Sequence, residues 1–467
     1  MSDLTKEHQD YREMKSRWDM CEHAAEGEHA IHAARETYLP RLNNEDNDAY
    51  ALRLRMTPFF NATWRTIAGL KGMLFRKPPI VTAPPALQLL MENIDLAGTN
   101  MLALANEVAE EALTLGRIGL LVDHPAVADG VTLADAMKQN LRPMVSIYEA
   151  KSIYNWREEV VNGVRRLSQV RLIEEAEIIS DEFSSETEKR YRVLDLFNGA
   201  YRQRLFRVAK DGTEELVGDE IFPKMNNQPM DFIPFVVIGV DHLGVDVDAP
   251  PLVDLVTTNL HHYLQATSYE RGCFFSGLPT MFISGMEDSD GEISIGGPVA
   301  NALGSPNAKA YYVEVASKFE ALRTNLEDKK REMAVLGARM LEGSRPGTEA
   351  AETVARRQSG EESVLAGMSY TLSMGLTQVL NWVASWAGIA GEINYQLNKD
   401  FLPMPMTATD LSALVAAWQN GAISQQTLFE NLKAGEVVSD TTTLEDEQAR
   451  IDTAAAQFAT QAAGFEE

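Results

Sequence analysis

Four side chains with the potential to bind a metal lie close together near the start of the chain. They are Cys21, His23, His29 and His32, which fall within twelve residues. On a helix, His29 and His32 are three positions apart and share a face, so they could bind a metal together. Cys21 and His23 do not fit that face. Solvated helix residues are therefore the favoured interpretation, with a metal near His29 and His32 left open.

Two acidic segments carry carboxylates at close spacing. Asp241, Asp246 and Asp248 lie within eight residues, and "EDSDGE", residues 287–292, is similar to a fragment of a calcium-binding loop. This fragment lacks the glycine at position 6 and the glutamate at position 12 that an EF-hand requires. A hairpin turn is the better interpretation of that fragment.

Catalytic motifs are missing from the sequence, which contains no P-loop, GxSxG, HExxH or CxxC. Its carboxylates are spread along the chain, so no pair stands out as a general acid and base. His261 and His262 are adjacent on a predicted helix and point in different directions, which predicts one packed ring and one solvated ring. We therefore expect that the chain is not an enzyme and uses no cofactor.

The composition is that of a sizeable acidic protein. The 467 residues are 45% hydrophobic, which is enough for two or three domains. The formal net charge of −26 is opposite in sign to that of a typical free nucleic-acid-binding protein. Two cysteines, Cys21 and Cys273, exclude a disulfide framework and suit a reducing cytoplasm. The first residues lack the apolar core of a signal peptide, and no apolar run reaches the roughly 18 residues of a membrane span.

Positive charge is concentrated between Lys318 and Arg357. This segment has nine Lys/Arg and seven Asp/Glu, a balance of +2 in a chain of −26. Lys329, Lys330 and Arg331 form the tightest cluster. A solvated helix face would explain this cluster as well as contact with a polyanion would.

Helical and β-rich regions follow one another along the chain, which predicts an α+β fold. Helical patterns cover residues 1–40, 59–75 and 100–115, whereas residues 140–240 are predicted to form one antiparallel sheet with Asn-Gly and Asp-Gly turns. After residue 250 come a helix, several short strands and two further long helical patterns.

The first of these two long helices has one narrow apolar stripe. Phe319, Leu326, Met333 and Met340 recur every seven residues. Such a stripe packs on a neighbouring helix, so the charged residues between its members are expected on the opposite face.

A charged, glycine-containing loop interrupts the two long helical patterns in "LGARMLEGSRPGTEAAETVARRQSGEESVLAGMSYTL", residues 336–372. Upstream, "FIPFVVIGVDHLG" and "PPLVDLVTTNLHHYLQATSYE" give an apolar strand, a loop and a helix. In this order of elements the chain resembles the portal proteins of tailed bacteriophages over about residues 50–440. That family similarly places a Gly/Thr-containing loop and a "TA…E" helix start between its second stem helix and a long tunnel helix.

The resemblance implies a mixed portal-type subunit with a β-rich wing, a helical stem, a small β clip that exchanges strands with neighbours, a long tunnel helix and a helical crown. The implied boundaries are the wing at 1–250, the first stem helix at 251–277, the clip at 278–315, the second stem helix at 316–341, the tunnel loop at 342–351, the long wing/tunnel helix at 352–388, and the crown with its acidic C-terminal tail at 389–467. Val364 to Trp386, the apolar part of the long helix, would pack inside the wing.

The resemblance also implies where DNA would pass. The tunnel loop would include Glu342, Gly343, Ser344, Pro346, Gly347, Thr348 and Glu349. Its polar residues would keep it hydrated, and Pro346 and Gly347 would let the chain turn sharply. The candidates for contact with DNA in the channel are Lys329, Lys330, Arg331, Arg345, Arg356 and Arg357.

The implied function is that of a homo-oligomeric ring, typically of twelve subunits, at one capsid vertex, through which double-stranded DNA is packaged and ejected. The implied partners are this DNA, bound without sequence preference, the terminase large subunit, the major capsid or scaffold protein, and a head–tail adaptor. The chain would reside in the virion and, during assembly, in the host cytoplasm. The alternatives are another phage structural or head-assembly protein without a DNA channel, and an enzyme acting on acidic polymers.

The C-terminal part is strongly acidic. Residues 401–467 carry ten Asp/Glu and two Lys/Arg. Charge without apolar periodicity does not offset the entropy of ordering a chain. We therefore predict that the last twenty or so residues are poorly ordered and dispensable for ring formation.

Overall fold

The computed structural model describes residues 4–125, 140–277, 280–284, 309–313, 319–339, 363–401, 406–439 and 442–463. Long helices and antiparallel strands are both extensive in these residues, so the fold is α+β, as predicted. The chain forms two compact units, and the second begins at Lys399 in the described residues. No helix in these ranges is both long enough and apolar enough to cross a membrane.

The helices of the described residues are α1 (Gln9–Glu26), α2 (Glu28–Ala33), α3 (Asn47–Met56), α4 (Ala62–Leu74), α5 (Pro85–Met91), α6 (Met101–Leu115), α7 (Val253–Gly277), α8 (Glu320–Ala338), α9 (Val364–Trp386), α10 (Ala408–Gln419), α11 (Gln425–Ala434) and α12 (Leu444–Ala463). The strands are β1 (Ile80–Thr82), β2 (Arg117–Asp123), β3 (Met144–Glu149), β4 (Ile153–Val161), β5 (Val164–Asp181), β6 (Ser184–Phe197), β7 (Ala200–Val208), β8 (Glu214–Leu216), β9 (Lys224–Met225), β10 (Gln228–Pro229), β11 (Phe235–Gly239), β12 (Thr280–Ser284), β13 (Lys309–Val313) and β14 (Asn394–Gln396).

The predicted single sheet over residues 140–240 is wrong, because the region divides between two larger sheets and the short pair of β9 and β10. One is a five-stranded meander of β4, β5, β6, β7 and β8. The other has the order β11-β2-β3, with β2 in the centre. β2 precedes the predicted region and is buried along almost its whole length, so it forms the core of a sheet that also takes β3 and β11.

Two Asn-Gly pairs make the tight turns of the five-stranded sheet, as predicted. Asn162 and Gly163 join β4 to β5, with φ angles of 52° and 81°. Asn198 and Gly199 join β6 to β7, with φ angles of 51° and 79°. Positive φ at both central residues is the geometry of a type I′ turn, which asparagine and glycine adopt more easily than other residues.

The N-terminal helix α1 packs on the sheets through a buried tryptophan. The Trp18 indole nitrogen donates a hydrogen bond of 2.9 Å to the Leu115 carbonyl at the end of α6. The Arg117 guanidinium, fully buried at the start of β2, lies 5.3 Å from the Trp18 ring centroid and 4.6 Å from that of Trp156. These contacts join α1, β2 and β4 into one core.

α9 packs inside the first unit, as its apolar composition favours, whereas the assignment of this unit to a portal wing stays a prediction. It is buried along most of its length and contacts β11, β2 and β3 as well as α4 and α6. The chain then returns through β14, which pairs with β1. Residues 389–398 therefore belong to the first unit, and the crown boundary implied at residue 389 stays a prediction.

Gly119 in β2 is required by the close approach of side chains from β11 and β4. A methyl group at this position would lie 2.4 Å from the Phe235 ring and 2.8 Å from Ile153 Cδ1. We expect Gly119→Ala to lower the free energy of unfolding by about 1 to 3 kcal/mol through overpacking. Gly69→Ala is the matched control, because nothing lies within 4 Å of its added methyl group on α4 and alanine favours helix. Thermal unfolding midpoints that shift equally for both variants would contradict this prediction.

The second unit contains α10, α11 and α12. α10 and α11 are separated at Asn420 and Gly421, as the sequence predicted. α12 continues into the last twenty or so residues as far as Ala463, and the poor order and dispensability of those residues stay a prediction. Its start is capped reciprocally: Thr443 Oγ1 accepts a hydrogen bond from Asp446 N, and the Asp446 carboxylate accepts one from Thr443 N.

Candidate functional site

The candidate site is formed by two long helices, α7 and α8, and by a two-stranded sheet whose strands lie between these helices in the sequence. α7 and α8 pack against each other, and their 25 and 19 residues span about 38 and 29 Å. β12 and β13 follow α7 and precede α8, and they pair antiparallel with each other from Thr280↔Val313 to Ser284↔Lys309. Residues 285–308, which include the predicted "EDSDGE" turn, lie outside the described residues.

The apolar stripe on α8 holds this helix against α7 and α4, which confirms the stripe predicted from the seven-residue spacing. Leu326 and Met333 are buried, and Met333 forms one cluster with Leu255 of α7 and Ala62 of α4. The Phe319 ring covers Gly272 of α7, since a methyl group on that glycine would lie 2.4 Å from the ring. Met340, the fourth member of the predicted stripe, lies outside the described residues.

His262 of α7 lies in the seam between the helices, whereas His261 is exposed. This confirms that one ring packs and the other faces solvent. The His262 ring centroid is 5.7 Å from that of Phe60. Burial lowers the pKa of His262 to about 4, and the positive charges of Lys330 and Lys329 act in the same direction. The seam therefore holds a neutral imidazole beside two lysines of α8.

The basic cluster of α8 does not lie wholly on the face opposite the stripe, so the expected placement of its charges is wrong for two of the three residues. Lys329 and Lys330 are half-buried, and the Lys330 ammonium lies 5.3 Å from the Phe60 ring centroid. Arg331 lies on the open face with 79% of its side chain exposed. A lysine can pack its long aliphatic stem along an apolar seam and keep its charge at the edge, which the sequence pattern did not anticipate.

The open face of α8 is electrically balanced. Arg331 pairs with Asp328 at 3.3 Å, and Arg323 pairs with Glu320 at 2.6 Å. Lys330 pairs with Glu327 at 3.3 Å. These pairs form within one helix and are exposed, so each contributes only about 0 to 1 kcal/mol. A polyanion would therefore meet alternating charges on this face, with Arg331 as its most exposed cation in an ion pair.

The remaining channel candidates are not part of the described structure. Arg345, Arg356 and Arg357 lie outside the described residues. The same holds for the predicted tunnel-loop residues, which are Glu342, Gly343, Ser344, Pro346, Gly347, Thr348 and Glu349. Their placement in the channel stays a prediction.

The histidines near the N-terminus make separate contacts with neighbouring elements. His32 Nε2 lies 3.0 Å from the Thr57 carbonyl oxygen, and His23 Nδ1 lies 2.9 Å from the Tyr38 hydroxyl. Cys21 is buried in the core, and this burial raises the pKa of its thiol to about 12. Within the described ranges, no three His, Cys, Asp or Glu side chains come together as a metal site. Of the three aspartates after β11, Asp248 pairs with His242 at 3.2 Å.

Sequence reasoning missed two surface features of the first unit. One is the outer part of the β5–β6 hairpin, which extends beyond the strands on either side of it. The other is an apolar cleft between α3 and α7. The hairpin had a local signal, because β5 and β6 are unusually long at 18 and 14 residues. The cleft had no local signal in the sequence, because the two helices that form its walls are about two hundred residues apart in the chain.

The comparison with protein families matches the part of the chain that contains α7, α8 and α9. A family model described as "Domain of unknown function (DUF4055)" matches residues 251–387, from the start of α7 to the end of α9. None of the curated proteins compared with the chain matches it.

Several solved structures have a similar chain. A chain in "Neck of empty GTA particle computed with C6 symmetry" has 12% identity and a TM-score of 0.41, with 86% of this chain and 97% of that chain covered. A chain in "Neck of native GTA particle computed with C12 symmetry" has 14% identity and a TM-score of 0.39, with 84% and 95% covered. A chain in "Virion of native gene transfer agent (GTA) particle" has 12% identity and a TM-score of 0.36, with 90% and 98% covered. At these values the likeness does not define what this chain does.

Proposed function

We propose that the chain is the subunit of a phage portal, a ring with a central channel for double-stranded DNA at one vertex of the capsid. The proposal is carried by one observation: α7 and α8 pack as a pair, and the strands β12 and β13 lie between them in the sequence. In a portal these elements are the stem and the clip, and the wing built from β2 to β11 and α9 is the body from which they extend.

The packing of α8 supports this assignment. One side of the helix, which includes the half-buried Lys329 and Lys330, is covered by its own chain, and the opposite side is exposed. A helix of 19 residues that packs on α7 and α4 along one side has room for a neighbouring subunit or a channel on the other. The paired charges on that open face suit a hydrated surface better than an apolar interface.

The charge of the chain fits a conduit through which DNA must slide. A net charge of −26 repels the phosphate backbone, and each cation that contacts a phosphate adds salt-dependent affinity. A wall with few exposed cations would keep the DNA centred and bind it weakly. The chain would perform no chemistry itself, and the work of packaging would fall to the terminase large subunit. The capsid or scaffold protein and the head–tail adaptor would contact the ring from outside the channel.

The assembly state tests the proposal. We expect purified protein to form closed rings of about twelve subunits, seen by negative-stain imaging and by native mass measurement. A stable monomer, or an open filament, would contradict the portal assignment and favour another head-assembly role without a channel.

Arg331 gives a test of the channel itself. We expect Arg331→Glu to leave ring formation intact, because the side chain is 79% exposed, and to reduce the DNA retained in assembled heads on the order of a few-fold. Arg165→Glu is the matched control, since Arg165 is also exposed and pairs with Glu158 at 3.3 Å in the wing. Equal DNA content in both variants at low and physiological salt would assign Arg331 to a solvated face. Lys330→Glu is a poorer test because it would also disturb the seam.

A further inference from the structure

The β5–β6 hairpin forms a two-stranded ribbon that extends well past its sheet. β4 pairs with β5 only as far as Leu172, and β7 pairs with β6 only from Arg190. β5 and β6 continue to pair with each other up to Asp181 and Ser184. Nine residues of β5, Ile173 to Asp181, therefore lie beyond β4, which corresponds to about 30 Å.

The tip of this ribbon presents an aromatic ring to solvent. Phe183 is 91% exposed, more than any other large hydrophobic side chain in the described residues, and Ile179 beside it is also exposed. Phe183 N donates a hydrogen bond of 2.8 Å to Asp181 Oδ1, which fixes the turn. Residues 173–189 carry seven Asp/Glu and one Lys. An exposed ring on a projecting acidic ribbon has the form of an anchor for another surface.

The cleft between α3 and α7 has the size to receive such a ring. Its volume is about 130 Å³, close to the roughly 150 Å³ of a cavity that holds one benzene molecule. Leu52 and Met56 of α3 and Phe274 of α7 form apolar parts of its wall. Its charged rim has two acids and two bases, which are Glu45, Glu270, Arg53 and Arg271.

We infer that Phe183 at the ribbon tip of one copy of the chain inserts into the α3–α7 cleft of a second copy. Phe183 is almost fully exposed, so it does not occupy the cleft of its own chain. The contact joins two different patches, and a head-to-tail contact of this kind closes into a ring when its rotation permits. The inference adds one subunit contact to the proposed ring. Only the closure of the ring rests on the proposed function.

Charge favours this occupant of the cleft. The ribbon has a balance of −6 over residues 173–189, so it is repelled by most of a chain whose net charge is −26. The two acids and two bases of the rim cancel in charge, and Arg53 is already held by Glu45 in a buried ion pair. An acidic tip would therefore meet less repulsion there than on the acidic remainder of the surface.

Cysteine crosslinking between two differently tagged proteins tests the contact. One protein carries Phe183→Cys and the other Leu52→Cys, both with Cys273→Ser because Cys273 is the exposed native thiol and Cys21 is buried. After the two are mixed and oxidised, we expect a disulfide-linked dimer that contains one copy of each tag. A single chain with both substitutions should give a ladder of covalent multimers. Phe183→Cys with Ile80→Cys, an exposed apolar position on β1, is the control and should give no ladder.

A second variant measures how much the aromatic side chain of Phe183 contributes to assembly. Phe183→Ser removes a fully solvated side chain from the free subunit, so its unfolding midpoint should stay at the parental value. Assembly should require protein concentrations higher on the order of tenfold, as expected for the loss of an interface anchor. Ile80→Ser should leave assembly unchanged.

The outcomes separate this inference from the proposed function. Rings together with the mixed dimer support both. Rings without the mixed dimer, or a dimer linked only through two copies of Phe183→Cys, overturn the contact and leave the portal proposal standing. A mixed dimer and ladder without closed rings supports the contact and overturns the portal proposal. Parental assembly by Phe183→Ser also overturns the contact.

Discussion

Replacing Arg53 by leucine is expected to lower the free energy of unfolding by about 3 to 5 kcal/mol, because it leaves a buried carboxylate without its cation. Arg53 and Glu45 are held in a two-pronged ion pair, with 2.7 Å from Nε to Oε1 and 2.7 Å from Nη2 to Oε2. The two side chains are only 9% and 7% exposed. This pairing lowers the pKa of Glu45 to about 2.

The same arginine fixes the connector that precedes α3. Arg53 Nη2 also donates to the Pro40 carbonyl at 2.8 Å, and the Glu45 carboxylate accepts a hydrogen bond from Leu42 N. The polar connector between α2 and α3 is therefore ordered by one guanidinium. Since the folded pKa of Glu45 is lowered, its stabilising effect is present above about pH 4.5 and is lost as the pH falls toward 2.

Denaturant unfolding of three variants checks the prediction. Arg53→Leu should be the least stable, and Arg53→Leu with Glu45→Leu should recover part of the loss, because the orphaned charge is gone. Arg55→Leu, on an exposed position of the same helix, is the control and should change stability little. Equal stability of Arg53→Leu and Arg55→Leu would show that the pair contributes nothing.

Glu111→Gln is expected to stabilise the protein by about 2 to 4 kcal/mol at pH 8 and by less than about 1 kcal/mol at pH 5. Burial raises the pKa of Glu111 to about 8, and the charges of Glu149 and Glu22 add to this. The carboxyl group accepts a hydrogen bond from Ala150 N at 3.2 Å, and a glutamine oxygen can replace it. Glu107, Glu110 and Lys71 line the same cavity on α6 and α4.

The direction of this pH dependence follows from proton binding. The folded chain keeps a proton on Glu111 up to about pH 8, whereas an unfolded glutamate releases it near pH 4.5. The parental protein therefore loses stability relative to the glutamine variant as the pH rises through this interval, and the difference is constant above it. Thermal unfolding at pH 5, 6.5 and 8 measures the effect, with Glu92→Gln at an exposed position as the control. A difference between parent and variant that does not change with pH would contradict the prediction.

Features with a local cause were predictable from the sequence. The Asn-Gly turns of the five-stranded sheet and the single stripe on α8 depend on neighbouring residues, and both are found where the pattern placed them. The burial of α9 also follows from its apolar composition. The division into two larger sheets and a short pair was not predictable, because pairing of β2 with β11 joins segments more than a hundred residues apart and leaves no local pattern.

The candidate site was predictable only in outline. Helical spacing located α7 and α8, but it could not decide that Lys330 packs on Phe60, which comes from a distant part of the chain. The cleft between α3 and α7 and the buried pair of Glu45 and Arg53 depend on such contacts too. α12 was missed for a different reason, since the reciprocal cap at Thr443 and Asp446 was overlooked beside the acidic composition.

The late position of α9 in the chain determines when the first unit can be completed during synthesis. α9 covers β2, β3 and β11, and Asn398 Nδ2 donates a hydrogen bond to the Met73 carbonyl across 325 residues. At about 5 to 20 residues per second, a ribosome needs roughly 6 to 25 s to travel from the end of β11 to the start of α9. Throughout that time the sheet of β2, β3 and β11 lacks its helical cover, while α7 and α8 are being synthesised. A nascent chain therefore synthesises α7 and α8 before the core of the first unit is complete, and translation that stops early leaves an apolar sheet exposed to chaperones and proteases.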